Sequence, residues 1–196
     1  FAPDGKGLHF AFQVRTLHAF IRYFLKNKDW NVKELGEPIN QEDSAGTMLA
    51  FSAFVIEGLE ILGLKISHEE REAYFHVWRV IAHLMGVEKE MIADSFEEGS
   101  LLGHSILNHQ KAPSKAGQEL TAACLDFLQR LMPTFLLKWV PRNFMYYLMG
   151  KELSEIAGVK RNNNVFVKAI VFLSIRMIRV LEWLKHHVGI IGRFAK

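Results

Sequence analysis

The sequence holds a single cysteine, Cys124, and only five prolines in 196 residues. One thiol builds no disulfide framework, zinc finger or iron–sulfur site, so those classes are excluded. Long apolar runs are missing as well. The densest, Ala169 to Ile175, is stopped by Lys168 and Arg176, well short of the roughly 20 residues that span a bilayer. No transmembrane helix is therefore expected. A Gly-rich phosphate loop, a nucleophile-elbow serine and a zincin helix motif are all absent. None of the nine histidines has Glu three residues before it, which argues against a di-iron carboxylate bundle. Without Cys-x-x-Cys-His, covalently attached haem is excluded too. Non-covalent haem is not, since it asks only for an imidazole in an apolar helical pocket with cations near its carboxylates.

What is present is ordinary globular composition, with 49% hydrophobic and 23% charged residues. That apolar content excludes disorder. The length supports one sizeable core and is short for two domains, so residues 1–196 are expected to form a single domain. Charge is uneven. From Lys160 onward the chain carries eight Lys/Arg against one acid, Glu182, a net +7, and the preceding residues carry −4. A basic, apolar C-terminal helix suits peripheral contact with an anionic membrane surface or an acidic partner; a packed helix with a solvated rim has the same pattern. Its basic residues alternate with aliphatics rather than exposed aromatics and no recognition motif is visible, so nucleic acid is not an expected partner. One cysteine suits either redox environment, and the compartment is left open. The first residue is Phe1 rather than Met, so processing or a missing upstream portion is expected.

Apolar spacing is helical throughout, with no convincing strand and no repeat. Leu8 to Lys26 places Phe10, Val14, Leu17, Ile21, Phe24 and Leu25 on one side. Gly36-Glu37-Pro38 breaks the chain, and helix resumes over Thr47 to Leu62. Ser67 with Glu70 is a capping box opening a helix to about Gly86, and Ser95 with Glu98 repeats the signature before a helix to about His109. Further helices are expected from about Gly117 to Leu131 and from Pro141 to Met149-Gly150. A short one over Glu152 to Ala157 precedes a long last helix, Val165 to His186. The reading is an all-α fold of about eight helices.

His18 is the residue with most chemistry around it. It lies at the edge of the first helix's apolar stripe, with Arg15 three residues before and Arg22 four after, on the same side and one turn away in each direction. Ala11 and Ala19 leave room for a flat group. An imidazole flanked by guanidinium groups suits a haem whose carboxylates need charge partners; a half-buried surface histidine has the same neighbours. Glu72 and His76 form an i,i+4 pair that suits a metal or a plain surface ion pair. Trp78 and Arg79 read as an aromatic core anchor and a buried stem. Cys124, between Ala123 and Leu125, reads as a small core residue.

Taken together, several segments resemble a known family. They are Val14-Arg15-Thr16-Leu17-His18-Ala19-Phe20-Ile21-Arg22, Asp29-Trp30, the run from Gly36-Glu37-Pro38 to Asp43, Thr47 to Ser52, Gly58-Leu59, Leu62-Gly63, Glu72-Ala73-Tyr74 and Trp78-Arg79 to Val87. In order and spacing they are similar to the family of the latex-clearing rubber oxygenases and the endoplasmic-reticulum-bound oxygenase MpaB of mycophenolic acid biosynthesis. The similarity is good from about residue 5 to 110 and looser to about 158; the last helix carries no motif of the family.

The resemblance implies a globin-like helical core holding haem b and O₂-dependent cleavage of a hydrophobic, isoprenoid or lipid-like alkene such as a polyprenyl chain. The family's Arg-x-x-His-x-x-x-Arg element matches Arg15, His18 and Arg22. It implies His18 as the proximal iron ligand and Arg15 and Arg22 as supports of the haem or its propionates. Thr47 falls near a family position that faces the haem. A distal Lys/Arg/Thr group and an acidic base belong upstream of the proximal helix in this family. Only 17 residues precede His18, with Lys6 their sole lysine, in a Gly5-Lys6-Gly7 loop, and none reproduces that group. Either the N-terminal part of the family domain is missing from this sequence, as expected, or the chain lacks the distal side, which would speak against oxygenase activity even with haem bound. No residue is assigned as catalytic. Ala82 stands where related sequences tend to have Gly. Two further readings are a non-catalytic haem- or lipid-binding module and a cofactor-free assembly subunit.

Overall fold

The structure, a computed structural model, describes residues 5–194, with side chains left out at 135–136 and 185–194. Its regular elements are all helical: α1 (Lys6–Lys26), α2 (Val32–Leu35), α3 (Gln41–Phe51), α4 (Ala53–Ile61), α5 (His68–Met85), α6 (Phe96–Gln110), α7 (Lys115–Arg130), α8 (Val140–Ile156) and α9 (Val165–Phe194), with 3₁₀ turns at Lys89–Met91 and Phe135–Trp139. Among the described residues, eight of these helices have nine residues or more and α2 is a single turn, which matches the all-α expectation of about eight.

Local chemistry explains most boundaries. At the start of α5, Ser67 Oγ accepts the Glu70 N–H at 3.2 Å and Glu70 Oε2 accepts the Ser67 N–H at 2.9 Å, the capping box read from sequence. The helix stops at Gly86, which is left-handed at φ 85°, ψ 28°. α3 begins six residues before the expected Thr47. Asn40 Oδ1 accepts the Asp43 N–H at 2.8 Å, and Glu42 and Asp43 occupy the first turn, where negative charge faces the positive end of the helix dipole. α1 likewise starts at Lys6, which is helical rather than part of a loop. Gly150 interrupts α8 with φ 73°, ψ −177°, where the sequence puts the end of one helix and the start of a short one.

The chain divides into two compact units. The first comprises the described residues of Phe1–Glu57 and of Ile66–His109, the second those of Gly58–Lys65 and of Gln110–Lys196. In the first, Ala45, Leu49, Ala53, Ile56, Phe75, Ala82, Val87, Phe96 and Ile106 form the core. Each of the larger side chains contributes about 1.5–3 kcal/mol by leaving water. Close approach is bought with glycine: the Phe75 ring, 2% exposed, lies where a Cβ on Gly99 would be, and Phe54 crowds Gly103. Trp78 anchors as expected, stacked on Phe51 with centroids 5.4 Å apart, and Arg79 Nη2 meets Asp94 Oδ1 at 2.6 Å.

One stretch, Gln41–Ile61, has the length and composition of a bilayer-crossing helix. Here Ser52 breaks it at φ −109°, ψ −83°, and its Ala45, Leu49, Ala53 and Ile56 are core residues.

In the second unit, Leu125, Val159, Val167, Val171 and Ile175 are buried. Cys124 is exposed, a correction to the reading of a core thiol. On α7 only Leu125 is buried, and its preceding neighbour, some 100° around the helix, turns to water.

Two glycines give opposite predictions. Gly99→Ala would gain about 1 kcal/mol of helix propensity, but its methyl overlaps a ring that has nowhere to go. A net loss of about 1–3 kcal/mol in urea unfolding is expected. In α4, nothing lies within 4 Å of a Cβ on Gly58, and Gly58→Ala should stabilise by about 0.5–1 kcal/mol.

Candidate functional site

Three segments of the first unit meet at the His18 side chain. A groove of about 220 Å³ is lined by His18 of α1, Ile39 before α3, Asp43, Ser44, Thr47 and Met48 of α3, and Met85 and Val87 at the end of α5. His18 is partly buried, and its ring nitrogens have no hydrogen-bond partner among the described residues. The Thr47 hydroxyl donates to the Asp43 carbonyl at 2.7 Å.

The rotation of α1 differs from the expected one. Its inward side is centred on Ala11, His18, Ile21, Arg22 and Leu25: of the expected stripe Ile21 and Leu25 face in, whereas Phe10, Leu17 and Phe24 do not. Those three are exposed by 50–56%. The reason is polar rather than apolar. Arg15 Nη1 donates to the Leu84 carbonyl at 3.2 Å, at the negative end of α5, and its guanidinium lies against Gly86, 3.0 Å from where a Cβ would stand. Arg22 Nε donates to the Pro38 carbonyl at 3.2 Å and its Nη2 to the Ile39 carbonyl at 2.6 Å. One guanidinium thus holds α1 to the end of α5 and the other to the entry of α3. His18, between them in sequence and on the same face, is carried over the groove.

The Arg22 contact holds a strained residue. Ile39 has φ 54°, a left-handed conformation that costs a β-branched residue about 1–2 kcal/mol. Its carbonyl is fixed by the Arg22 fork and its side chain forms a wall of the groove. Gln41 ties the third side: its Nε2 donates to the Gly86 carbonyl at 3.1 Å and its Oε1 accepts the Glu88 N–H at 2.9 Å. Neither Ile39 nor Gln41 was picked out by sequence reasoning; the one available signal was their place in the Gly36–Asp43 run.

A family model, the catalytic domain of the ER-bound oxygenase mpaB/B′ and rubber oxygenase, matches residues 1–179. The chain belongs to this family. It is 27% identical over 164 residues to the rubber oxygenase of Streptomyces sp. strain K30, covering 82% of this chain and 40% of that protein. The structure of latex clearing protein LCP in the closed state superposes with a TM-score of 0.79 at 24% identity, over 93% of this chain and 49% of the other. The fold is therefore that of LCP, and the chain spans about half the length, or less, of these relatives.

Other predicted pairings rearrange. Glu72 turns from His76 to the start of α6, where Oε1 accepts the Phe96 N–H at 2.9 Å. There it lies with His68 and Glu97, ligand atoms all within 4.8 Å of one another. At the far end of α6, His109 Nδ1 meets Glu42 Oε1 at 2.7 Å. The hydrogen bond to Glu42 and its negative charge raise the imidazole pKa above the ordinary 6.5.

Two testable outcomes follow. Arg22→Ala should lower stability by about 1.5–3 kcal/mol through loss of two charge-assisted hydrogen bonds. Arg22→Lys should stay near the alanine value, since an ammonium cannot fork to two carbonyls; urea unfolding of both variants is the measure. Because the His109 pKa is raised on folding, the stabilisation from its pair is complete below about pH 6.5 and is lost as pH rises through the raised value. The stability gap between the natural chain and His109→Gln should therefore be larger at about pH 6 than at about pH 9.

Proposed function

We propose that this chain is the haem b-bearing part of an oxygenase acting on a hydrophobic, isoprenoid alkene, with a globin-like pocket in which His18 would hold the iron. The observation that carries the reading is the His18 ring itself. It is held on the inward face of α1, at the rim of a groove whose Ile39, Met48, Met85 and Val87 are apolar, with no hydrogen bond among the described residues that would compete for its nitrogens. The family's oxygenases and the name of the Streptomyces relative support the substrate class.

The residues fit the group in kind. A neutral imidazole nitrogen is a good iron ligand, and each guanidinium carries five N–H donors, of which the backbone carbonyls take one from Arg15 and two from Arg22. The remaining donors are available to carboxylates such as the propionates. When bound, haem b supplies an iron at which dioxygen is activated for double-bond cleavage. The chain supplies orientation and dryness. Arg15 and Arg22 fix the turn of helix that bears His18, Ile39 and the two methionines would cover the ring's apolar side, and the Thr47 hydroxyl proton is already committed to the Asp43 carbonyl.

Purified protein supplied with haem should show a Soret band, and His18→Ala should abolish it. Oxygen uptake with a polyprenyl substrate should follow the same dependence. A Soret band of full intensity in His18→Ala would sink the assignment of the ligand; a normal band without oxygen uptake would leave the haem-binding, non-catalytic reading.

A further inference from the structure

The second unit contains a larger cavity, of about 420 Å³, between α8 and α9. Its wall on α9 follows helical spacing: Lys168, Val171 and Phe172, Ile175 and Arg176, then Arg179. Arg161 precedes α9, and Asn143, Tyr146, Tyr147 and Gly150 come from α8. Among the described residues, four cations thus share one concavity and no acidic residue lines it. Its floor is apolar, with Val171 and Ile175 about 6% exposed.

The cations are built in rather than scattered. Arg179 Nη2 donates to the Ile61 carbonyl at 3.2 Å and to Tyr147 Oη at 3.4 Å. Its stem lies over Gly63, which has φ 94° and no side chain to collide with it. The Arg161 guanidinium stands 5.6 Å from the Tyr146 ring centre and that of Arg176 6.0 Å from Phe172. Asn143, 5% exposed, fixes the approach to α9 by donating to the Asn162 carbonyl at 3.2 Å and accepting the Asn162 N–H at 2.8 Å. Cations crowded in a concave, partly apolar wall repel one another and raise the local potential. A ligand that relieves this must bring negative charge, and the apolar floor gains only from one that also brings hydrocarbon.

We propose that this cavity binds an amphipathic oxyanion, a carboxylate or phosphate carried on an aliphatic chain. The head lies among Arg161, Lys168, Arg176 and Arg179, and the chain lies along Val171, Phe172 and Ile175. Because Arg179 is held before the ligand arrives, little side-chain freedom is lost on binding. The site uses no residue of the His18 groove and does not depend on the oxygenase reading.

The test is calorimetric titration of the full chain with oleate below its micelle concentration, with oleoyl lysophosphatidic acid as the phosphate counterpart. One saturable site is expected for at least one of them, weakened about tenfold or more in Lys168→Gln/Arg176→Gln and unchanged in His18→Ala. Phe172→Ala should weaken binding of the chain without altering the helical circular-dichroism signal, which also checks that each variant folds. Several results overturn the proposal: no binding of either probe, equal affinity for the double variant, inorganic phosphate binding as tightly as the lipids, or association with phosphatidic acid vesicles alone. The last would mark a charged surface rather than a cavity.

Discussion

How α1 lies is decided by two guanidinium groups that find their acceptors on backbone carbonyls. A hydrogen bond from a charged donor is worth more than most pairs of apolar contacts at a partly covered surface. Arg15 on Leu84 and Arg22 on Pro38 and Ile39 therefore fasten the side of α1 that carries His18, while Phe10, Leu17 and Phe24 of the expected apolar stripe stay outside. Three features of the first unit descend from this. His18 faces the groove, Ile39 is kept in a conformation it would not choose, and the ends of α3 and α5 are drawn to one helix. The same choice leaves Phe10, Leu17, Phe20 and Phe24 facing out, each half exposed or more, a larger apolar flank than a lone soluble helix usually shows.

Much of the fold could be read from the residues because its signals are short-range. The Ser67–Glu70 box, the stop at Gly86 and the break at Gly150 depend on neighbours within four positions, and each appears where the spacing puts it. Asn40 was a weaker signal of the same kind, an N-cap three residues before Asp43, hidden by the glycine and proline just upstream. The rotation of α1 was not legible, since it depends on carbonyls 16 to 69 positions away. Side-chain period carries no information about such partners. Cys124 failed for a related reason: a run of small residues looks buried until it is known that Leu125 alone on α7 points inward.

The candidate site was half legible. Arg15, His18 and Arg22 were singled out by spacing and resemblance together, and Thr47 does line the groove with His18. The guanidinium groups were read as partners of a bound carboxylate, whereas in the structure each fastens the scaffold. A residue that shapes a site and one that touches what the site binds leave the same mark in a sequence. The basic C-terminal stretch shows a similar ambiguity: Lys168, Arg176 and Arg179 lie along one side of α9 and look into a concavity, so a count of +7 says nothing of where the charge is focused.

The interruption at Gly150 bears on that concavity. A continuous helix resists bending through its ladder of i to i−4 bonds, but at a single left-handed residue the ladder has a gap. With open space where a Cβ would be, Gly150 is the point at which α8 turns, and each half is tied separately, Asn143 to Asn162 and Glu152 to Lys111. The wall that carries Tyr146 and Tyr147 therefore ends at a bend one residue long.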